Sequence, residues 1–142
     1  MKTFTPKKEQ IKREVVLVDL EGKILGRAAA KVADLLRGKG SPFFAKHINT
    51  GDTVVAINAA KIKVTGKKLE QKRYYSFSGY PGGIRSRTLS EVMARKPEEA
   101  FRAAVKGMLP KNKLQKEYLK HLKIYAGPEH PHAPQNPRKV EL

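Results

Sequence analysis

The chain contains no cysteine and no tryptophan, and it carries only 13 acidic residues against 30 lysines and arginines. Without cysteine there is no disulfide framework, no thiolate zinc site and no cysteine nucleophile. No apolar run approaches the roughly 20 residues needed to span a bilayer, so no membrane partner is expected. The opening residues, Met1 to Lys8, lack the apolar stretch and cleavage site of a secretory leader, and the protein is expected to stay in the cytoplasm where it is made. The shortage of acid leaves a net charge of +17 on 142 residues. An excess of that size repels itself unless a polyanion neutralises it, which makes nucleic acid the first partner to consider.

What remains is a globular composition, 39% hydrophobic and 30% charged. At this length about two-thirds of the unfolded chain's surface can be buried, enough for one domain with its own core. The positive charge is spread along the chain. Residues 22–50 hold six bases and one acid (+5), residues 61–73 hold six and one (+5), and residues 109–125 hold five and one (+4). Residues 91–108 are nearly balanced, with four bases and three acids, and residues 126–142 are neutral. Basic stretches that alternate with apolar ones fit a folded body presenting several loops to one polyanion.

Val15-Val16-Leu17-Val18 and Thr53-Val54-Val55-Ala56-Ile57 are continuous β-branched runs, the pattern of strands covered on both faces in a parallel sheet. Between them Leu25, Ala28, Ala29, Val32, Leu35 and Leu36 make an apolar stripe at helical spacing, and Gly38 follows as a stop. Strand, helix and strand in that order form a βαβ crossover. Ile62 to Val64 and Tyr74 to Phe77 read as edge strands or extended loops, and Leu89 to Lys96 as a short helix. Pro97 suits the first turn of the next helix, with Glu98 and Glu99 at its positive end. Another helix is expected from Lys113 to His121, and Leu122 to Tyr125 as the last strand. The class is α/β, three-layered α/β/α, with a mainly parallel sheet of about four strands. Its domain spans 15–126, between a basic N-terminal extension (1–14) and a proline-rich C-terminal extension (127–142). Proline at every third position from Pro128 to Pro137 forbids helix and favours an extended strap. Both extensions lack apolar anchors and are expected to be disordered in the free protein.

Signs of catalysis are few. Asp19 and Asp52 flank the apolar strands and could serve a metal-dependent nuclease, but no third carboxylate or nearby histidine completes a site. Glu129, His130 and His132 could bind a metal only with more ligands than the strap supplies. Gly22-Lys23-Ile24-Leu25-Gly26-Arg27 lacks the Gly-Lys-Ser/Thr ending of a nucleotide loop; it reads as a plain turn or as one that brings helix amides and Arg27 to an anion. No enzyme activity, cofactor or small-molecule substrate is expected.

The signals for RNA are stronger. Thr65-Gly66-Lys67-Lys68 followed by Lys72-Arg73-Tyr74-Tyr75 interleaves cations, which neutralise phosphate, with rings, which stack on splayed bases. If that stretch is extended, Tyr74 and Tyr75 point opposite ways, so one stacks and the other packs. Gly79-Tyr80-Pro81-Gly82-Gly83-Ile84-Arg85-Ser86-Arg87 reads as an exposed glycine-rich loop whose backbone can approach a sugar-phosphate strand while Arg85 and Arg87 clamp it. Lys113, Lys116 and Lys120 share one helix face. The candidate RNA contacts are Arg27, Lys31, Arg37, Lys39, Lys46 and His47 in the first basic stretch, and Lys67, Lys68, Lys72, Arg73 and Tyr74 in the second. Arg85 and Arg87 follow, with Lys106, Lys111, Lys113, Lys116 and Lys120 toward the C-terminus. A DNA-binding regulator is the competing reading, but the bases lie on scattered loops rather than on one recognition helix.

Val105-Lys106-Gly107-Met108-Leu109-Pro110 and Leu122-Lys123-Ile124-Tyr125-Ala126-Gly127-Pro128-Glu129-His130-Pro131-His132 resemble the signature region of the ribosomal protein L-thirteen family. Leu25-Gly26-Arg27-Ala28-Ala29, His47-Ile48-Asn49-Thr50-Gly51-Asp52 and Ile62-Lys63-Val64-Thr65-Gly66-Lys67-Lys68 match the same family in order. The resemblance covers almost the whole chain and is closest to the bacterial type. It implies a three-layer α/β/α fold, binding to 23S ribosomal RNA early in large-subunit assembly, and other ribosomal proteins as neighbours.

Overall fold

The computed structural model describes residues 4–142. The first three residues of the basic N-terminal stretch lie outside the described part. The chain forms β1 (Val15–Asp19), α1 (Leu25–Arg37), β2 (Thr53–Ile57), α2 (Lys68–Gln71), β3 (Arg73–Phe77) and β4 (Ile84–Thr88). These are followed by α3 (Leu89–Arg95), α4 (Pro97–Met108), α5 (Leu114–Lys120), β5 (Leu122–Ile124) and β6 (Arg138–Val140). Four strands form one parallel sheet in the order β5-β2-β1-β6, while β3 and β4 make a separate antiparallel ribbon. The fold is α/β, with helices packed on a four-stranded parallel sheet in keeping with the three-layer α/β/α class.

The β-branched runs pair as their composition requires. Val15 lies opposite Thr53 and Asp19 opposite Ile57, and α1 makes the crossover between the two strands. Its stripe buries Leu25, Ala28, Ala29, Val32, Ala33 and Leu36. Val16, Val18, Val54, Ala56, Leu122 and Ile124 form one face of the sheet and share a single cluster with that stripe, with Phe101 and Val105 of α4 and with Tyr118 of α5. On the opposite face Leu17 and Val55 are buried side by side, with Lys139 and Lys123 flanking them in register. A smaller cluster of Leu89, Val92 and Ala100 seats α3 against α4. Thr88 caps α3 reciprocally: its Oγ1 accepts from the Glu91 amide and its own amide donates to the Glu91 carboxylate, both at 3.3 Å.

Several elements depart from the expectation drawn from sequence. Leu122–Ile124 is a strand but not the last one. The C-terminal segment ends in β6, which pairs with β1 through Val16–Arg138 and Val18–Val140. Val140 and Leu142 pack against the main cluster, so this segment does have apolar anchors and is ordered against the sheet. Residues 84–87, expected as loop, form most of β4, and only the tip, 78–83, is a turn. Lys63 contributes a single bridge to Ile24 rather than a strand. In the N-terminal segment the Glu14 amide donates to Asp52 Oδ1 at 3.1 Å, and the Glu14 carbonyl accepts from the Thr53 amide at 2.9 Å.

The loop from Gly38 to Asp52, which carries Lys39, Lys46 and His47, closes tightly on the end of α1. Gly38 has φ +72°, and a Cβ there would lie 2.6 Å from the Thr50 carbonyl oxygen. At Gly51 an added Cβ would overlap the backbone carbonyl of Leu36. Replacing Gly51 by alanine forces two backbone segments apart, and Gly51→Ala is expected to lower stability by about 3 kcal/mol in urea denaturation. Gly26→Ala is the contrasting case: it lies in α1 with open space around it and should raise stability by about 0.5–1 kcal/mol.

Candidate nucleic-acid interface

The candidate contacts are exposed, except that Arg37 and Tyr74 are half-buried. Among the described residues, only Lys39 of this set is in an ion pair, with Asp34 at 2.7 Å. The other ion pairs, Lys61–Glu21, Lys96–Glu99 and Arg138–Glu14, involve cations outside the set. Among the described residues the fold thus leaves the candidate cations other than Lys39 without an acidic partner, free to attract a polyanion.

The structure brings several of these separate stretches together. A groove of about 640 Å³ is bounded by Gly26 at the start of α1, by Thr65, Lys68 and Lys72, and by Ala103, Gly107 and Met108 on α4. Its lining includes Gly26, Gly107 and two alanines, whose small size admits close approach of another backbone, together with Lys68 and Lys72. Arg27 and Lys31, one turn apart on α1, line a neighbouring hollow with Lys23. His47 lies in a third, of about 430 Å³, with Lys8 and Arg13 of the N-terminal segment and Glu117 of α5. Lys113, Lys116 and Lys120 form an exposed row beside the turn between α4 and α5. That turn is held from inside: Gln115 Nε2 donates to the Lys106 carbonyl at 2.9 Å and to the Leu109 carbonyl at 3.3 Å. Lys106 and Lys111 on either side of it are thereby fixed in relation to the row.

Arg13 has a role that nothing in its local sequence signals. Its guanidinium donates to the Asn49 carbonyl and to Nε2 of His121, both at 3.2 Å. Arginine only donates, so Nε2 of His121 is bare and its Nδ1–H faces Thr53 Oγ1 at 3.4 Å. Burial first, and then the charge of Arg13, hold the His121 pKa below the usual imidazole value. The partners of Arg13 lie 36 and 108 residues away, beyond the reach of a local pattern.

Two sequence readings change at this surface, and a third stands. Tyr74 was the candidate for base contact, but it packs against the cluster of Leu89, Val92 and Ala100, and Lys72 lies 5.4 Å from its ring centroid. Its hydroxyl is buried without a hydrogen-bond partner, and burial raises its pKa. Tyr75 is the ring that faces solvent, 71% exposed. Strand alternation allowed either outcome; the apolar face of α3 decides it. Arg37 lies over the Phe44 ring, 5.7 Å from its centroid, and is the least available of the cations. Asp19 and Asp52 do not converge: Asp19 ends β1 while Asp52 precedes the start of β2, and the parallel register puts them at opposite ends of the sheet. Asp19 instead accepts from Asn58 Nδ2 and the Glu21 amide, both at 2.9 Å, and these bonds lower its pKa.

The two tail histidines have structural partners. His132 Nε2 lies 2.7 Å from the Tyr125 hydroxyl, and His130 Nδ1 accepts from the His132 amide at 3.3 Å. Among the described residues no three of His, Cys, Asp and Glu are grouped to hold a metal ion.

The environment of His121 makes stability depend on pH. Its pKa is depressed in the fold, so the unfolded chain takes up a proton first as pH falls below about 6.5. Stability is therefore full above that value and declines as pH drops through the window beneath it. The urea midpoint should fall between about pH 7.5 and pH 5.5, and His121→Gln should flatten that part of the profile.

The family model described as "Ribosomal protein L13" matches residues 13–131. The chain is 57% identical to "Large ribosomal subunit protein uL13" of Oleidesulfovibrio alaskensis over 142 residues, covering 100% of this chain and 99% of the relative. Proteins of the same name from Thermobifida fusca and Aquifex aeolicus are 54% and 53% identical over 142 residues, all of this chain, with 95% and 99% of the relative covered. The family model runs from Arg13 through β5 to Pro131 and the relatives align over the whole chain, and on that evidence the chain belongs to the ribosomal protein L13 family.

Proposed function

We propose that the protein is a structural constituent of the large ribosomal subunit in the cytoplasm, binding 23S ribosomal RNA and acting early as an assembly scaffold beside other ribosomal proteins. The family is one of structural components, not enzymes. The observation that carries the RNA reading is the distribution of unpaired cations. Exposed lysines and arginines on α1, on the 65–73 stretch, on β4 and around the α4–α5 turn are held by one core, and among the described residues none of them except Lys39 is in an ion pair. Cations fixed on several elements contact phosphates from separate RNA segments at once, and so hold those segments in one arrangement. The domain spanning 15–126, with its terminal segments, is the unit proposed to bind.

The charge of the Lys113–Lys116–Lys120 row gives a direct test. Filter binding of the full chain to large-subunit rRNA fragments should show affinity falling by roughly 10³–10⁵ between 50 and 200 mM salt if six to ten phosphates are engaged. Replacing the three lysines by glutamine should weaken binding uniformly and reduce the logarithmic salt slope by up to about 3, close to one unit per lost contact. Lys96→Gln, whose cation is paired to Glu99 at 3.4 Å, should leave that slope nearly unchanged. Equal affinity of the intact chain for rRNA fragments, unrelated structured RNA and duplex DNA would overturn the specific scaffold reading.

A further inference from the structure

The β3–β4 ribbon has two chemically different faces. In its antiparallel register Tyr74 lies opposite Arg87 and Ser76 opposite Arg85, while Tyr75 lies opposite Ser86 and Phe77 opposite Ile84. Cross-strand partners share a face, so Tyr74, Ser76, Arg85 and Arg87 occupy one side and Tyr75, Phe77 and Ile84 the other. The first side is anchored through Tyr74 to α3. Among the described residues nothing covers the second: Tyr75 is 71%, Phe77 66% and Ile84 67% exposed, and Tyr80 at the tip is 75% exposed. Together Tyr75, Phe77 and Ile84 line a shallow apolar depression. A two-stranded ribbon is marginal by itself, and clustered exposed apolar side chains mark an interaction surface.

The charge of the ribbon selects the occupant. From Lys72 to Thr88 there are four cations, Lys72, Arg73, Arg85 and Arg87, and no aspartate or glutamate. The occupant must therefore supply flat apolar surface together with negative charge. Unpaired nucleotides in RNA supply both, whereas a duplex hides its base faces. Tyr75 and Phe77 are two residues apart on one strand, about 6.5–7 Å along it, and sheet-borne aromatics of this kind each accept one splayed base. We infer that the exposed face of the β3–β4 ribbon is a stacking platform for unpaired bases of the bound RNA, with Tyr75 and Phe77 as the stacking rings and Arg73, which the register puts on the same face, neutralising an adjoining phosphate. This rests on the RNA-binding reading above and adds the structural class of RNA that the arm takes.

The test compares the full chain with Tyr75→Leu/Phe77→Leu, which keeps apolar surface and removes the rings, and with Tyr75→Phe/Phe77→Tyr, which keeps the rings. The probes are a single-stranded oligoribonucleotide containing 2-aminopurine, the same strand in a duplex, and the rRNA fragments. The leucine variant should bind the single strand roughly tenfold or more weakly and lose the fluorescence quenching caused by stacking, with an unchanged salt slope because no charge is removed. Duplex affinity should not change, and the ring-retaining variant should behave like the parent. Circular dichroism melting of both variants establishes that the fold is intact; because the side chains are two-thirds exposed or more, little change is expected. Parental affinity and quenching in the leucine variant would overturn the inference. Parental RNA binding combined with failure to enter assembling subunits would also overturn it, and would place a protein partner on this face. Failure of the unmodified chain to prefer rRNA over competitors would count against the scaffold reading instead, and ring-dependent quenching with the oligonucleotide would still support the platform.

Discussion

Parallel pairing of β1 with β2 is the constraint on which the rest of the structure depends. A parallel pair cannot be closed by a tight turn, so α1 must cross between the strands, and its apolar stripe must cover one face of them. Val16, Val18, Val54 and Ala56 are completely buried beneath it, and Phe101, Val105 and Tyr118 complete that layer. Each large side chain taken fully out of water contributes roughly 1.5–3 kcal/mol. With the positions of α1, α4 and α5 set by this shared core, the basic turns at their ends come into fixed relation. The groove between the start of α1, the 65–72 stretch and the end of α4 exists only because α1 and α4 pack on the same apolar face.

The same economy of apolar surface explains the placement of charge. The described ion pairs are all at the surface, where each adds little to stability. Buried polar residues are few, Asn49, Thr50 and Asn58, and they organise turns. Asn58 binds Asp19, Asn49 binds the Gly51 amide, and Thr50 donates to the Arg37 carbonyl at the end of α1. Ion pairs therefore contribute little to the core, and the cations remain available for a polyanion. Arg13 and Gln115 act differently from the exposed lysines: they tie loops that carry charge to the body of the domain.

Much of this architecture is legible in the order of residues. The β-branched runs, the α1 stripe with its glycine stop, the Pro97 start of α4 and the alternating Leu122–Ile124 strand all report local propensity and periodicity, which belong to neighbouring residues. The basic stretches and their exposure also follow, because lysine and arginine resist burial. The motif resemblance extended that reading to a family.

What only the tertiary structure decided depends on partners far away in sequence. β6 is Arg-Lys-Val, with no strand pattern of its own; it becomes a strand because β1 offers an open edge more than a hundred residues earlier. The choice between Tyr74 and Tyr75 was open by alternation, and the apolar face of α3 settled it by taking Tyr74. Ile84 to Arg87 reads as loop until Arg73 to Phe77 lies beside it to supply hydrogen-bond partners. The pairing of Arg13 with His121 likewise joins the two ends of the domain. The sequence by itself determined α1, α4 and the strands β1, β2 and β5, and that the surface is cationic, since those properties are local. Only the fold decided which ring faces outward, which cations share a groove and where the C-terminal segment lies, since each is set by contact between segments that periodicity cannot relate.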